Sequence, residues 1–168
     1  MSMVLIGHRL SSDDLQAVLG EPTAVSALIY GDLDDDDADM PEPELDLDKS
    51  WHAIHYLLTG TAWEVGDDPA GAAILGGVEV GEDDGYGPAR LLHPEAVRAV
   101  STALDALTIE TLRARFKADA MAADEIYPEG WTGDAGAFDD YLAPHFAGLR
   151  DFYRTAAANG QAVLLAIT

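Results

Sequence analysis

Short apolar runs mark the two ends of the chain, and between them apolar residues recur mostly at helical spacing. Residues 3–10 (MVLIGHRL) read as a strand. In SSDDLQAVLG, Ser11 is placed to cap a helix, Asp14 stands where a capping-box acid stands, and Gly20 closes the C-terminus. AVSALIY, after Pro22, is apolar but of undetermined type. A helix follows with Asp48 as its N-cap, Lys49 to Leu58 as its body and Gly60 near the C′ position. Trp51, Ile54, His55 and Leu58 share one face of it, and Ala53 and Leu57 are apolar as well. So little of its circumference is polar that it is expected to be a central, mostly buried element.

The pattern then predicts a short helix over 67–77 (DDPAGAAILGG), opened by Asp68 and Pro69 and closed by two glycines. EVGEDDGYG reads as a polar loop, and ARLL (89–92) as a short strand or the extended approach to Pro94. A helix starts at Pro94 with His93 as its cap and Val97, Val100, Leu104 and Leu107 as its stripe. Thr108 and Thr111 open another that is expected to run to about Ala123. Residues 135–159 form a long amphipathic helix, kinked or split at Pro144. Asn159-Gly160 ends it, and QAVLLAIT is a terminal strand. The sum predicts an α+β fold: a compact single domain over 1–168, with several helices packed around a small sheet in which the N- and C-terminal strands are neighbours.

Composition sharpens this picture. At 168 residues and 48 % hydrophobic content, the chain is long and apolar enough for one globular core. No apolar run approaches the roughly 20 residues that span a bilayer, and the N-terminus lacks the basic region of a signal peptide. Without cysteine there is no disulfide framework and no thiolate chemistry, so a cytoplasmic setting is expected. The formal net charge of -22 argues against nucleic-acid binding and against anionic membrane surfaces. It leaves a basic protein, a cationic ligand or a divalent metal as allowed partners, and it also serves simple solubility.

Every charged residue from Asp32 to Asp48 is acidic, and two prolines interrupt the stretch; an acidic surface loop at about 32–46 is the reading. Asp32, Asp34 and Asp36 have the spacing of an EF-hand loop, but Asp37 replaces its sixth-position glycine and Pro43 its twelfth-position glutamate.

Candidate chemistry concentrates in LDLDKSWHAIHYLLTG (45–60). His52 and His55 are three apart with no glutamate between them, which is not the zinc-protease pattern, and no metal site is assigned. His55, on the apolar face, reads as a buried neutral imidazole or as an acid/base oriented by Asp46 or Asp48. Lys49, one of two lysines, sits in a first helical turn where a cation is disfavoured. Either an ion pair with Asp46 or Asp48 compensates it, or it is a charge at the rim of a pocket. Thr59, beside Gly60, suits the capping of open carbonyls. Phosphate-loop, dinucleotide-binding and nucleophile-elbow patterns are absent, so no cofactor is expected.

This segment resembles the YfbM-like family of bacterial proteins, a domain of unknown function, through Leu45, Asp46, Leu47, Asp48, Lys49, Trp51, Ile54, His55, Tyr56, Leu58, Thr59 and Gly60. ILGG (74–77), Tyr127-Pro128 and the ending FYRTAAANGQAVLLAIT extend the likeness over nearly the whole chain. The resemblance implies a compact α+β fold and marks Asp46, Lys49, Trp51, His55, Thr59 and Gly60 as a shared site or a shared core. Two functional readings follow. The first is a non-enzymatic binding or interaction module with an acidic surface, in one form an immunity-type protein that neutralises a basic protein. The second is a small enzyme or small-ligand-binding domain with a pocket at the Lys49–Gly60 helix, using His55 as acid/base and drawing on Asp46, Lys49, Trp51, His52 and Thr59.

Overall fold

The two terminal strands pair with each other at the centre of the molecule. In the computed structural model, which describes residues 2–168, β1 (Leu5–Leu10) runs antiparallel to the last strand, β5 (Ala162–Ile167), in a register that sets Leu5 opposite Ile167 and Leu10 opposite Ala162. β2 (Leu45–Asp46), β3 (Val78–Val80) and β4 (Ala89–Leu92) complete an antiparallel sheet of order β2-β1-β5-β4-β3. β5 alternates strictly: Val163 and Leu165 join one core, Ala162, Leu164 and Ala166 the other. A strand apolar at every position is the signature of a sheet covered on both faces.

One face is covered by α1 (Ser12–Gly20) and α2 (Ala24–Tyr30), which contribute Leu15, Val18, Val25 and Ile29. Ser11 caps α1 as expected, its hydroxyl accepting the Asp14 N–H at 3.2 Å. AVSALIY is thereby a helix. The larger core lies on the other face, under α3 (Trp51–Thr59), α4 (Ala72–Leu75), α5 (Pro94–Asp105), α6 (Ile109–Arg115), α7 (Ala118–Ala123) and α8 (Ala143–Ala158). The α+β class, with helices around a small sheet that includes both terminal strands, is the observed architecture.

Four local expectations are corrected. Asp48 is not the N-cap of α3. Residues Asp48–Ser50 form a 3₁₀ turn ahead of the helix, and Asp48 itself is left-handed at φ 47. The helix expected from Thr108 to Ala123 divides at Phe116 and Lys117, both extended, because Phe116 turns in to meet Trp131 and Phe138 at ring separations of 6.2 and 5.9 Å. β3 takes up Val78–Val80, the last two of which read as loop. Leu45–Asp46, at the end of the acidic stretch, is a strand, with Leu45 only 4 % exposed.

At Pro144 the last helix is not split; it changes type without a break, a π-helical turn, Ala137–Leu142, leading directly into α8. The wider turn makes room for a ring that would clash with the fourth carbonyl back and that offers no N–H to it. Within α8, Tyr153 is fully buried and donates its hydroxyl to the Ala73 carbonyl of α4 at 2.6 Å. Tyr153→Phe leaves that carbonyl without its partner in a dry site, and is expected to lower stability by about 1–2 kcal/mol. A urea unfolding midpoint equal to wild type's would show that the bond contributes nothing net.

Candidate functional site

The motif helix begins in a turn built from its own acids. Asp46 Oδ1 accepts the Asp48 N–H at 2.7 Å, which folds the chain back and lets Asp48 occupy its left-handed conformation. Asp48 then uses its other side: Oδ2 accepts the Tyr141 hydroxyl at 2.8 Å. That bond, with smaller help from the Lys49 N–H and charge and from His145, holds the Asp48 carboxyl below its usual range. Burial first and the Asp48 carboxylate second push Tyr141 well above the ordinary phenol value. Lys49 is half-buried and forms no ion pair within 4 Å among the described residues, so the expected pairing with Asp46 or Asp48 is not made.

Along α3 nearly every side chain is sealed. Trp51 is 1 % exposed and donates its indole N–H to the Met3 carbonyl at 3.0 Å, tying the helix to the start of the chain. His52, expected to contribute to a pocket at this helix, is buried as well. Its Nδ1 receives the Tyr127 backbone N–H at 2.9 Å and must therefore be unprotonated, so Nε2 carries the hydrogen and donates it to the Ala62 carbonyl at 2.9 Å. Burial lowers its pKa, which fits a ring whose two bonds both require the neutral form. His55 is fully buried; its Nε2 meets the Glu64 carbonyl at 3.1 Å, and desolvation lowers its pKa to about 4. Its Nδ1 has no hydrogen-bond partner among the described residues.

The two histidines thus grip the residues on either side of Trp63. Trp63 itself is 62 % exposed, with its ring centroid 4.3 Å from that of His52. Thr59 finishes the helix: its hydroxyl donates back to the His55 carbonyl at 2.9 Å and accepts the Thr61 N–H at 3.1 Å, while Gly60 takes the left-handed φ of 75 that a C′ residue needs. Arg115 caps the same end from α6 through the Leu57 carbonyl at 3.0 Å.

The sequence-predicted residues therefore fall into two groups. Trp51, His52 and His55 lie inside; Asp46 and Lys49 lie ahead of the helix and do not converge with them, while Thr59 at its far end meets the group only at the His55 carbonyl. Among the described residues no group of three or more His, Asp and Glu side chains is placed to hold a metal ion. Sequence reasoning passed over Tyr141, the partner of Asp48, and over Trp63, Tyr86 and Arg90, which line a groove beside the motif. The one available signal was a tryptophan in the mostly polar, acidic stretch TAWEVGDD.

The acidic stretch is a second candidate surface. Residues 32–40 are exposed at every position. Asp32 and Asp35 accept the N–H groups of Asp34 and Asp37, each at 3.0 Å, which folds the stretch into two turns. Its far end is fixed to the sheet, where Glu44 approaches His8 Nδ1 of β1 at 3.2 Å.

A family model described as "Domain of unknown function (DUF1877)" matches residues 1–166. Among solved structures, the crystal structure of YfbM from Escherichia coli, a protein of unknown function, matches with a TM-score of 0.73 and 24 % sequence identity over 99 % of this chain and 99 % of that one, a likeness of fold. No curated protein matches.

Two outcomes follow from the geometry. Because His55 has a folded pKa of about 4 against 6.5 when solvated, the unfolded chain takes up a proton that the folded one refuses. Its contribution to stability is therefore complete above about pH 6.5 and declines by about 3 kcal/mol as pH falls to 4. Imidazole NMR is expected to find His55 neutral down to about pH 5; a midpoint near the solvated value would show that the ring is reached by water. Separately, Tyr141→Phe removes the main influence on Asp48, so the Asp48 carboxyl should titrate at higher pH, toward 3.8. A side-chain carboxyl titration that superimposes on wild type's would contradict this.

Proposed function

The chain belongs to the DUF1877 family, a domain of unknown function, and from that premise we propose that it is a non-enzymatic binding module that engages a basic protein through its acidic surface. The observation that carries this reading is the exposure of the whole 32–40 segment, whose carboxylates are free to face a partner except where Asp32 and Asp35 serve the local turns. A chain of net charge -22 attracts basic partners and repels polyanions, so the partner class is a basic protein and not a nucleic acid or an anionic membrane. Steering by complementary charge raises association rates, which is what an immunity-type protein needs when it must reach a basic target quickly. The cysteine-free composition suits a cytoplasmic setting.

The competing reading, an acid/base pocket at the Lys49–Gly60 helix, draws no support from the two histidines. A general base has to meet its substrate within hydrogen-bond reach, and His55 is covered on all sides with its pKa far below the ordinary value. No helix of the described residues is long and apolar enough to cross a membrane.

The test is a capture experiment from cell extract, comparing wild type with a variant in which Asp34, Asp36, Asp37 and Asp39 are changed to Asn. The variant spares Asp32 and Asp35 and so keeps both turns. Wild type is expected to retain basic proteins that are released between about 0.05 and 0.3 M salt as the Debye length shrinks, and the variant to retain clearly less. Salt-insensitive retention, or equal capture by the variant, would sink the proposal.

A further inference from the structure

Where β5 ends and β4 begins, the sheet emerges from beneath α4 and the 61–65 segment, and a groove of about 340 Å³ opens there. That volume falls in the range of small-ligand pockets, roughly 300–1,000 Å³. Its floor is apolar and buried: Leu5, Ile74 and Leu165. Its rim is of different character, with Trp63 and Tyr86 as aromatic walls and Arg90 as its charged residue.

Two features of that rim ask for an explanation. The first is Trp63. It is large, apolar and 62 % exposed, yet it is held firmly, because His52 and His55 bind the carbonyls of Ala62 and Glu64 and its ring lies against that of His52. A tryptophan fixed in an exposed position by two buried bonds is a preorganised apolar platform. The second is Arg90, a cation in a chain whose charge is overwhelmingly negative. Among the described residues it makes one ion pair, Nη2 to Glu79 Oε1 at 3.4 Å, with a glutamate that is itself 60 % exposed. A long pair with a solvated carboxylate leaves the other N–H groups of the guanidinium fork for a ligand.

We propose that this groove is a binding site for a small organic anion with a flat apolar body. The body lies on the floor against Trp63, and the carboxylate or similar acidic head meets Arg90. The overall field of the protein opposes anions, but at physiological salt distant surface charges are screened over about 8–10 Å, whereas Arg90 acts at contact. A cation is drawn to the acidic surface in general and meets Arg90's positive charge in this groove. Preference for the anion here runs against the net charge and so reports the site itself.

The experiment compares phenylpropionate with phenylpropylamine, which share one body and carry opposite charges, titrated into the full chain and followed by amide and indole NMR. The acid is expected to shift the Trp63 indole N–H and the amides of Leu5, Arg90 and Ile167, with affinity in the millimolar range, and the amine to leave them in place. Arg90→Gln should weaken the acid about fivefold or more, and Trp63→Ala should weaken it as well, with unfolding midpoints confirming that both variants fold. The Asp→Asn variant of the acidic segment should bind the acid undiminished, which separates this site from the basic-protein proposal. The inference is overturned if the amine moves the same resonances as far as the acid, if the acid moves none of them, or if Arg90→Gln binds like wild type. Should Arg90→Gln or Trp63→Ala fail to fold, the comparison of acid with amine on the wild-type chain decides the matter.

Discussion

Two imidazoles kept neutral by burial are the constraint on which the middle of this molecule depends. His52 receives one N–H, from Tyr127, and gives one, to Ala62. A second proton on that ring would set two donors against each other in a dry site, where an uncompensated polar group costs about 1–3 kcal/mol and a charge more. His55 repeats the arrangement once, toward Glu64. Through these bonds α3 fastens the segment that follows it and the Tyr127 turn, while Trp51 fastens the start of the chain. Segments far apart in sequence are thereby joined to one helix by side chain to backbone bonds, and the core has to stay dry around them for the bonds to hold.

This arrangement places the surfaces that face water. The sheet, covered on both sides, can offer little beyond its ends and edges. At one end the groove forms because the 62–64 segment is held down against α3, which leaves Trp63 projecting between its two anchored neighbours. Near β2 the Asp46 turn and the Asp48–Tyr141 bond decide how the acidic stretch rejoins the fold, and the approach of Glu44 to His8 secures its end. The motif is a core element by composition and a surface organiser by consequence.

Much of the fold was legible from patterning because the relevant forces are local. The all-round apolar character of residues 51–58 gives away a buried helix, Gly60 its end, and the apolar terminal runs a paired sheet centre. What escaped is what tertiary partners decide. LDLD looks like part of an acidic loop until β1 supplies the pairing that makes Leu45–Asp46 a strand. Phe116 breaks a helix that local propensity favours, because Trp131 and Phe138 lie on its other side. Asp48 has the right identity for a cap, yet an acceptor is worth more to the Tyr141 hydroxyl, a half-buried donor from a distant helix. The candidate site was legible only in outline. Carbonyls such as those of Ala62 and Glu64 leave no trace in a sequence, so the histidines could be found but not what they hold.

The two proposed surfaces also differ in the range over which they act, and that difference bears on how one small domain can carry both. In the proposed reading, the acidic stretch would work through many solvated charges, whose field reaches about a Debye length and fades with added salt. Arg90 works through directional N–H groups on a partly sheltered rim, where contact geometry matters more than total charge. A chain selected only for solubility has no need of a tryptophan pinned in the open beside its arginine. Exposing Trp63 forgoes the apolar burial that its size would otherwise contribute, about 25 cal/mol for each Å² left in water. The nearby core has been spent on holding it there.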